Sequence, residues 1–143
     1  MNIIDYKNDF YAWTQQQAQL LRSQQFNQID WNHIAEEIED MGRSEKRQLD
    51  SRLEVLIMHL LKWQFQPNLR SRSGQLTIKE QRLRLEKLLK ENPSLKSYLE
   101  EAKEKIYPLA VIIAEQETGL SVFPATCIYN LKQIFSSEFL PED

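Results

Sequence analysis

Apolar positions along the chain fall into helical stripes. From about Asp5 to Gln24, residues Tyr6, Phe10, Trp13, Gln17, Leu20 and Leu21 recur at helical spacing, with Asp5 as the expected N-cap. Asp30 is the expected N-cap of a short second helix. That helix turns Trp31, Ile34, Ala35, Ile38 and Met41 one way and Glu36, Glu39 and Asp40 the other. Gly42 is placed to end it, since glycine takes the left-handed conformation past a helix end without strain. From Ser44 to Gln66, Leu49, Leu53, Leu56, Leu60 and Trp63 alternate in steps of four and three, and Val55, Ile57, Met58, Leu61 and Phe65 widen the stripe. A helix apolar nearly all round belongs at the centre of a bundle, and Pro67 ends it.

Residues 68–75 read as a loop with Gly74 near its tip. Thr77 and Glu80 have the spacing of a capping box, which predicts a fourth helix with Ile78, Leu85, Leu88 and Leu89 facing inward. Asn92-Pro93 starts a fifth, whose expected buried stripe is Leu95, Leu99, Ala102, Ile106, Leu109 and Ile113. Pro108 sits inside that helix and Gly119 follows it. A short last segment, Thr126 to Phe135, is expected to pack Ile128, Leu131 and Phe135 over one end of the bundle. The pattern predicts an all-α, mostly antiparallel bundle of four to five main helices plus a short C-terminal helix.

Composition agrees with that class. A length of 143 residues suits a single helical domain, 1–143, and three Gly with five Pro are too few for the turns of a sandwich or barrel. No apolar run approaches the roughly 18 residues of a membrane span, and the N-terminus lacks a basic start followed by an apolar stretch. The lone Cys127 cannot form an internal disulfide, so a reducing, cytoplasmic setting is the expectation.

Charge is segregated. Residues 1–42 hold two basic and seven acidic side chains, net −5; residues 43–90 hold twelve and five, net +7; residues 91–143 hold four and nine, net −5. The basic middle includes Arg43, Lys46, Arg47, Arg52, Arg70, Arg72, Arg82 and Arg84. These form a candidate patch for phosphate or an acidic partner, the planar arginine fork suiting either group. The alternative is that the acidic flanks fold against the basic middle and neutralise it. No aromatic residue lies between 66 and 97, which argues against base stacking and leaves weak nucleic-acid binding through the same arginines as a third, less favoured reading.

Other candidate chemistry is sparse. His33 and Glu37 share a helix face, and His59 lies among apolar neighbours where Glu37 or a backbone carbonyl could satisfy it. Glu37 could equally reach an arginine such as Arg52. A metal or hydrolytic site built from Glu37 and His59, with His33 or Glu115, is the competing reading, but the Glu-x-x-His spacing of di-iron bundles is absent. No serine sits in a glycine-flanked elbow, and the glycines are isolated, so no phosphate-cradling loop exists. Arg70-Ser71-Arg72-Ser73-Gly74 is the one loop whose composition could grip an anion. Joint exposure of Tyr11 and Trp31 would mark an interface, where aromatic residues are favoured.

Several runs resemble a bacterial family known as domain of unknown function 29, most abundant in cyanobacteria. They are Asp9-Phe10-Tyr11-Ala12-Trp13 with Gln17-Ala18, Ala35-Glu36-Glu37-Ile38-Glu39 with Gly42-Arg43-Ser44-Glu45, and His59-Leu60-Leu61-Lys62-Trp63. Pro93-Ser94-Leu95 and the Phe139-Leu140-Pro141 ending complete the set. The resemblance implies one helical domain and brings no activity, cofactor or catalytic residue. The residues themselves lead to a small interaction module that presents an Arg-rich surface to an acidic protein partner or self-associates, with no cofactor and no membrane contact.

Overall fold

The computed structural model describes residues 2–142, and among these no strand forms. Four main helices and one short helix make up the chain: α1 (Phe10–Arg22), α2 (Trp31–Phe65), α3 (Arg72–Glu91), α4 (Leu99–Thr118) and α5 (Leu131–Phe135). Three single 3₁₀ segments, Phe26–Gln28, Pro67–Leu69 and Pro93–Tyr98, connect them. The chain divides into two compact units, Met1–Ser44 and Glu45–Asp143.

In the first unit α1 begins later than Asp5. Asp5 closes a turn by accepting the Lys7 N–H at 3.0 Å, while Asp9 accepts the Ala12 N–H at 3.0 Å and is the true N-cap. Trp13, Leu20 and Ile29 are its buried apolar side chains. A polar network surrounds Asp30. Its carboxylate accepts Trp13 Nε1–H at 3.0 Å and His33 Nδ1–H at 2.7 Å, and its own N–H donates to Gln17 Oε1 at 2.8 Å. It also accepts the backbone N–H of His33, the expected N-cap role. Tyr6 stacks on the His33 ring at 4.0 Å and donates its hydroxyl to Glu37.

Gly42 does not end a helix. The two helices expected on either side of it are one continuous α2 of 35 residues. An interior glycine weakens a helix by only about 1 kcal/mol, and good helix formers flank this one. Arg43 adds to them by reaching back to Glu39 at 3.6 Å and to Asp40.

The second unit holds the main core. Leu49, Leu53, Leu56, Ile57, Leu60 and Leu61 of α2 are fully buried, and α3 and α4 pack against them. Ile78, Leu85, Leu88 and Leu89 close the core from α3. α3 starts six residues earlier than the sequence suggests, so residues 72–75, half of the expected 68–75 loop, belong to it. The reason is Ser71, whose Oγ accepts the Gly74 N–H at 3.0 Å. Thr77 forms no capping box, because its hydroxyl donates to the Ser73 carbonyl at 3.0 Å.

In α4 the buried line is Leu99, Ala102, Ile106, Ala110 and Ala114, so Leu109 is exposed rather than inward. It lies one residue, about 100°, off that line. The helix runs through Pro108 and ends at Gly119, which takes φ 73°. The last helix is shorter than expected: Ile128 is exposed, and Tyr129 and Ile134 are buried instead. Asn130 and Gln133 form a reciprocal capping box that starts α5 at Leu131.

Candidate functional site

The arginines proposed from sequence as one patch meet different fates. Arg43 is held by Glu39 and Asp40 on its own helix, and Arg47 is exposed. Arg52 is half-buried with a long contact, 3.4 Å, to Gln81 Oε1. It shares a depression of about 220 Å³ with Arg84 and Lys87, where Glu45 and Glu91 offset the charge. Arg82 is a correction to the expected surface. It is buried, and its Nε and a terminal nitrogen donate to the carbonyls of Ile134 and Gln133 at 2.8 and 3.1 Å. That guanidinium organises the fold and is not part of an exposed patch.

Glu37 and His59 also separate. Glu37 belongs to the first unit and accepts from Tyr6, not from Arg52 or a histidine. The Tyr6 hydroxyl is consequently pushed up to about 12, chiefly by its hydrogen bond to Glu37. His59 belongs to the second unit and is half-buried there. Burial lowers its pKa first, Lys62 lowers it further, and Glu117 opposes them. Among the described residues no three His, Cys, Asp or Glu side chains gather closely enough to hold a metal ion.

The place where polar groups do converge is a cleft of about 320 Å³ in the second unit. The last turns of α2 line it with His59, Lys62 and Trp63, and the connection to α3 adds Gln66, Leu69 and Arg70. The first turns of α3 bring Ser71, Ser73, Gly74 and Thr77, and the end of α4 brings Glu117. Arg70 is held in place from two sides: its Nε donates to the Trp63 carbonyl at 2.7 Å, and its guanidinium lies 5.5 Å from the centre of the Trp63 ring. Lys62 Nζ sits 3.2 Å from Glu117. Helix geometry leaves the amides of Arg72 and Ser73 without acceptors inside α3, and the helix dipole adds a partial positive charge at the same end.

The Arg70–Gly74 segment and His59 were therefore legible as candidates, but Lys62, Trp63, Gln66 and Thr77 were not. A signal existed. Residues 59, 62 and 63 occupy one face of α2, with 66 just past its end, and a cation three residues beyond a histidine on such a face points toward the same neighbour.

The family described as Domain of unknown function DUF29 matches residues 6–140. The chain belongs to this family. The match spans both units of the DUF29 chain and every helix. No curated protein and no solved structure matches it. Among the described residues of this DUF29 protein, no helix is long and apolar enough to cross a membrane.

Proposed function

We propose that this DUF29 chain is a small helical interaction module that recognises a carboxylate-rich partner segment through the cleft at the start of α3. The observation that carries the reading is the convergence of Lys62, Arg70, three hydroxyls and the positive end of α3 on one cavity. Among the described lining residues the carboxylate is Glu117, and it is already engaged by Lys62. An incoming carboxylate would compete with it for Lys62 and take further hydrogen bonds from the α3 amides. Burial keeps His59 largely uncharged at neutral pH, so it serves there as a neutral donor or acceptor on the wall.

The test is a titration of isotopically labelled protein with a short poly-glutamate peptide, followed by amide chemical shifts. The reading expects the largest shifts at residues 70–77 and at Lys62. It expects affinity weakened roughly tenfold in Lys62→Ala, the range for losing one charged contact at a partly exposed site. Absence of shifts at residues 70–77, at saturating peptide and low salt, defeats it.

A further inference from the structure

A groove of about 510 Å³ between α3 and the C-terminal segment is lined by a buried charge, Arg82, only 7% exposed. Its Nε and Nη2 donate to the carbonyls of Ile134 and Gln133, both uncharged acceptors. A guanidinium has five N–H donors, so these bonds use two of them. Nη1 has no acceptor among the described residues. Nor is it sealed in, because Gln17 Nε2 is the one buried side-chain nitrogen or oxygen among them without a partner. Solvent therefore reaches the Nη1 edge, and the groove is the opening that Arg82 lines.

No carboxylate balances this charge. Burial lowers the Arg82 pKa with no carboxylate acting against it, and the side chain makes no ion pair among the described residues. The groove's other charged side chains are exposed, Arg72 and Lys79 against Glu86 and Glu138, so together they carry no net sign. What remains is the guanidinium beneath them. A charge taken out of water is costly unless a counter-charge meets it, and the edge of a planar fork matches a carboxylate.

The rest of the lining is largely apolar. Leu76 and Leu83 stand seven residues apart, two turns of α3, and both are exposed. Phe135 and Leu140 supply the C-terminal side, and buried Ile78 adds to the lining. The volume lies within the roughly 300–1,000 Å³ of small-molecule sites, which pair apolar walls with a few polar groups.

We infer that this groove binds a medium-chain fatty acid, its carboxylate on the Nη1 edge of Arg82 and its alkyl tail along Leu76, Leu83, Phe135 and Leu140. One guanidinium edge suits one carboxylate, and Glu86 and Glu138 repel a more highly charged head. An extended peptide would bring backbone groups that need partners, for which the lining offers only Gln75 and Ser137 as further neutral side chains. The inference stands apart from the cleft and survives if poly-glutamate fails to bind there.

The experiment titrates the labelled full chain with decanoate, with decan-1-ol and with acetate, and follows backbone amides together with the arginine Nε–H signals. Decanoate should give saturable shifts at Arg82 Nε–H and at residues 78–83 and 135–140. Decan-1-ol, which keeps the tail and lacks the charge, should bind at least roughly tenfold more weakly, and acetate should leave these signals in place. Leu83→Asp changes a side chain that is 57% exposed, so it opens no cavity, and circular dichroism confirms its helix content. It should weaken decanoate at least roughly tenfold, through loss of apolar wall and repulsion of the head. Decan-1-ol binding as tightly as decanoate overturns the inference, because the arginine then contributes nothing. So do a Leu83→Asp variant that binds like the wild type, decanoate shifts centred on any other part of the chain, and the absence of saturable shifts.

Discussion

Arg82 is bound to the carbonyl oxygen of Ile134 through its Nε at 2.8 Å, from a side chain only 7% exposed. A second bond, to Gln133, makes the guanidinium a two-point anchor for the end of α5. The last four carbonyls of a helix lack internal partners, and a buried charged donor is a strong way to satisfy two of them. Burial pulls the arginine pKa downward, yet the group stays charged at any ordinary pH. Arg82→Met should therefore destabilise the second unit by about 2–4 kcal/mol, since hydrogen bonds to charged groups contribute roughly 1.5–3 kcal/mol each and part of the apolar stem is replaced. Arg82→Lys should recover less than half of that, because an ammonium cannot match the fork. Urea denaturation of the three proteins measures both numbers.

Gly42 and Gly119 should respond to alanine with opposite signs. Gly42 lies inside α2, and a Cβ built there meets nothing within 4 Å. Gly42→Ala should raise stability by about 0.5–1 kcal/mol through helix propensity and a less flexible unfolded chain. Gly119 takes φ 73° at the end of α4, the left-handed conformation that an alanine adopts only under strain. Gly119→Ala should lower stability by about 1 kcal/mol. Thermal melts of the two variants, side by side with the wild type, read the contrast directly.

These two glycines also show how far the sequence is readable. Periodicity located the core, because Leu49, Leu53, Leu56 and Leu60 cannot face water at any helix rotation that buries one of them. It could not distinguish Gly42 from Gly119, since the same residue type permits a helix end without requiring it. Ser71, Thr77 and Asn130 failed for a related reason. Ser71 and Asn130 accept nearby backbone N–H groups, whereas the Thr77 hydroxyl donates to the Ser73 carbonyl, and which of these bonds forms depends on where the rest of the fold starts the helix. The cleft was half legible: Arg70–Gly74 is a local run, whereas Lys62 and Glu117 are 55 residues apart and meet only through the packing of α4 on α2.

Asp30 makes the first unit sensitive to acid. Burial alone would raise its pKa, but hydrogen bonds from His33 and Trp13 outweigh that and hold the carboxyl below its ordinary value. A folded pKa below the unfolded one means that the unfolded chain binds the proton first. The stabilisation is then fully present above the unfolded value, about pH 4, and is lost as pH falls through the lower folded value. Asp30→Asn should be less stable than the wild type at neutral pH, with the gap shrinking once acid protonates the wild-type carboxyl. Trp13 fluorescence during denaturation at several pH values follows the gap, because the indole N–H is one of the donors concerned. A gap independent of pH would show that the carboxylate's charge plays no part.

His59 should couple acidity to the cleft. Its pKa is held down by burial and by Lys62, with Glu117 pulling the other way. The unfolded chain therefore takes up the proton first as pH drops below about 6.5, and the free protein loses stability on the way down. A bound carboxylate reverses part of this, since an anion beside the ring favours the imidazolium. Affinity for a poly-glutamate peptide should consequently rise as pH is lowered from 7 toward 6, while the peptide carboxylates stay ionised. His59→Gln should keep the affinity measured at pH 7 and lose the rise. Calorimetric titrations at these two pH values, with wild type and variant, decide it: equal slopes for both proteins would place His59 outside the anion's field and leave Lys62 and the α3 amides as the acting groups.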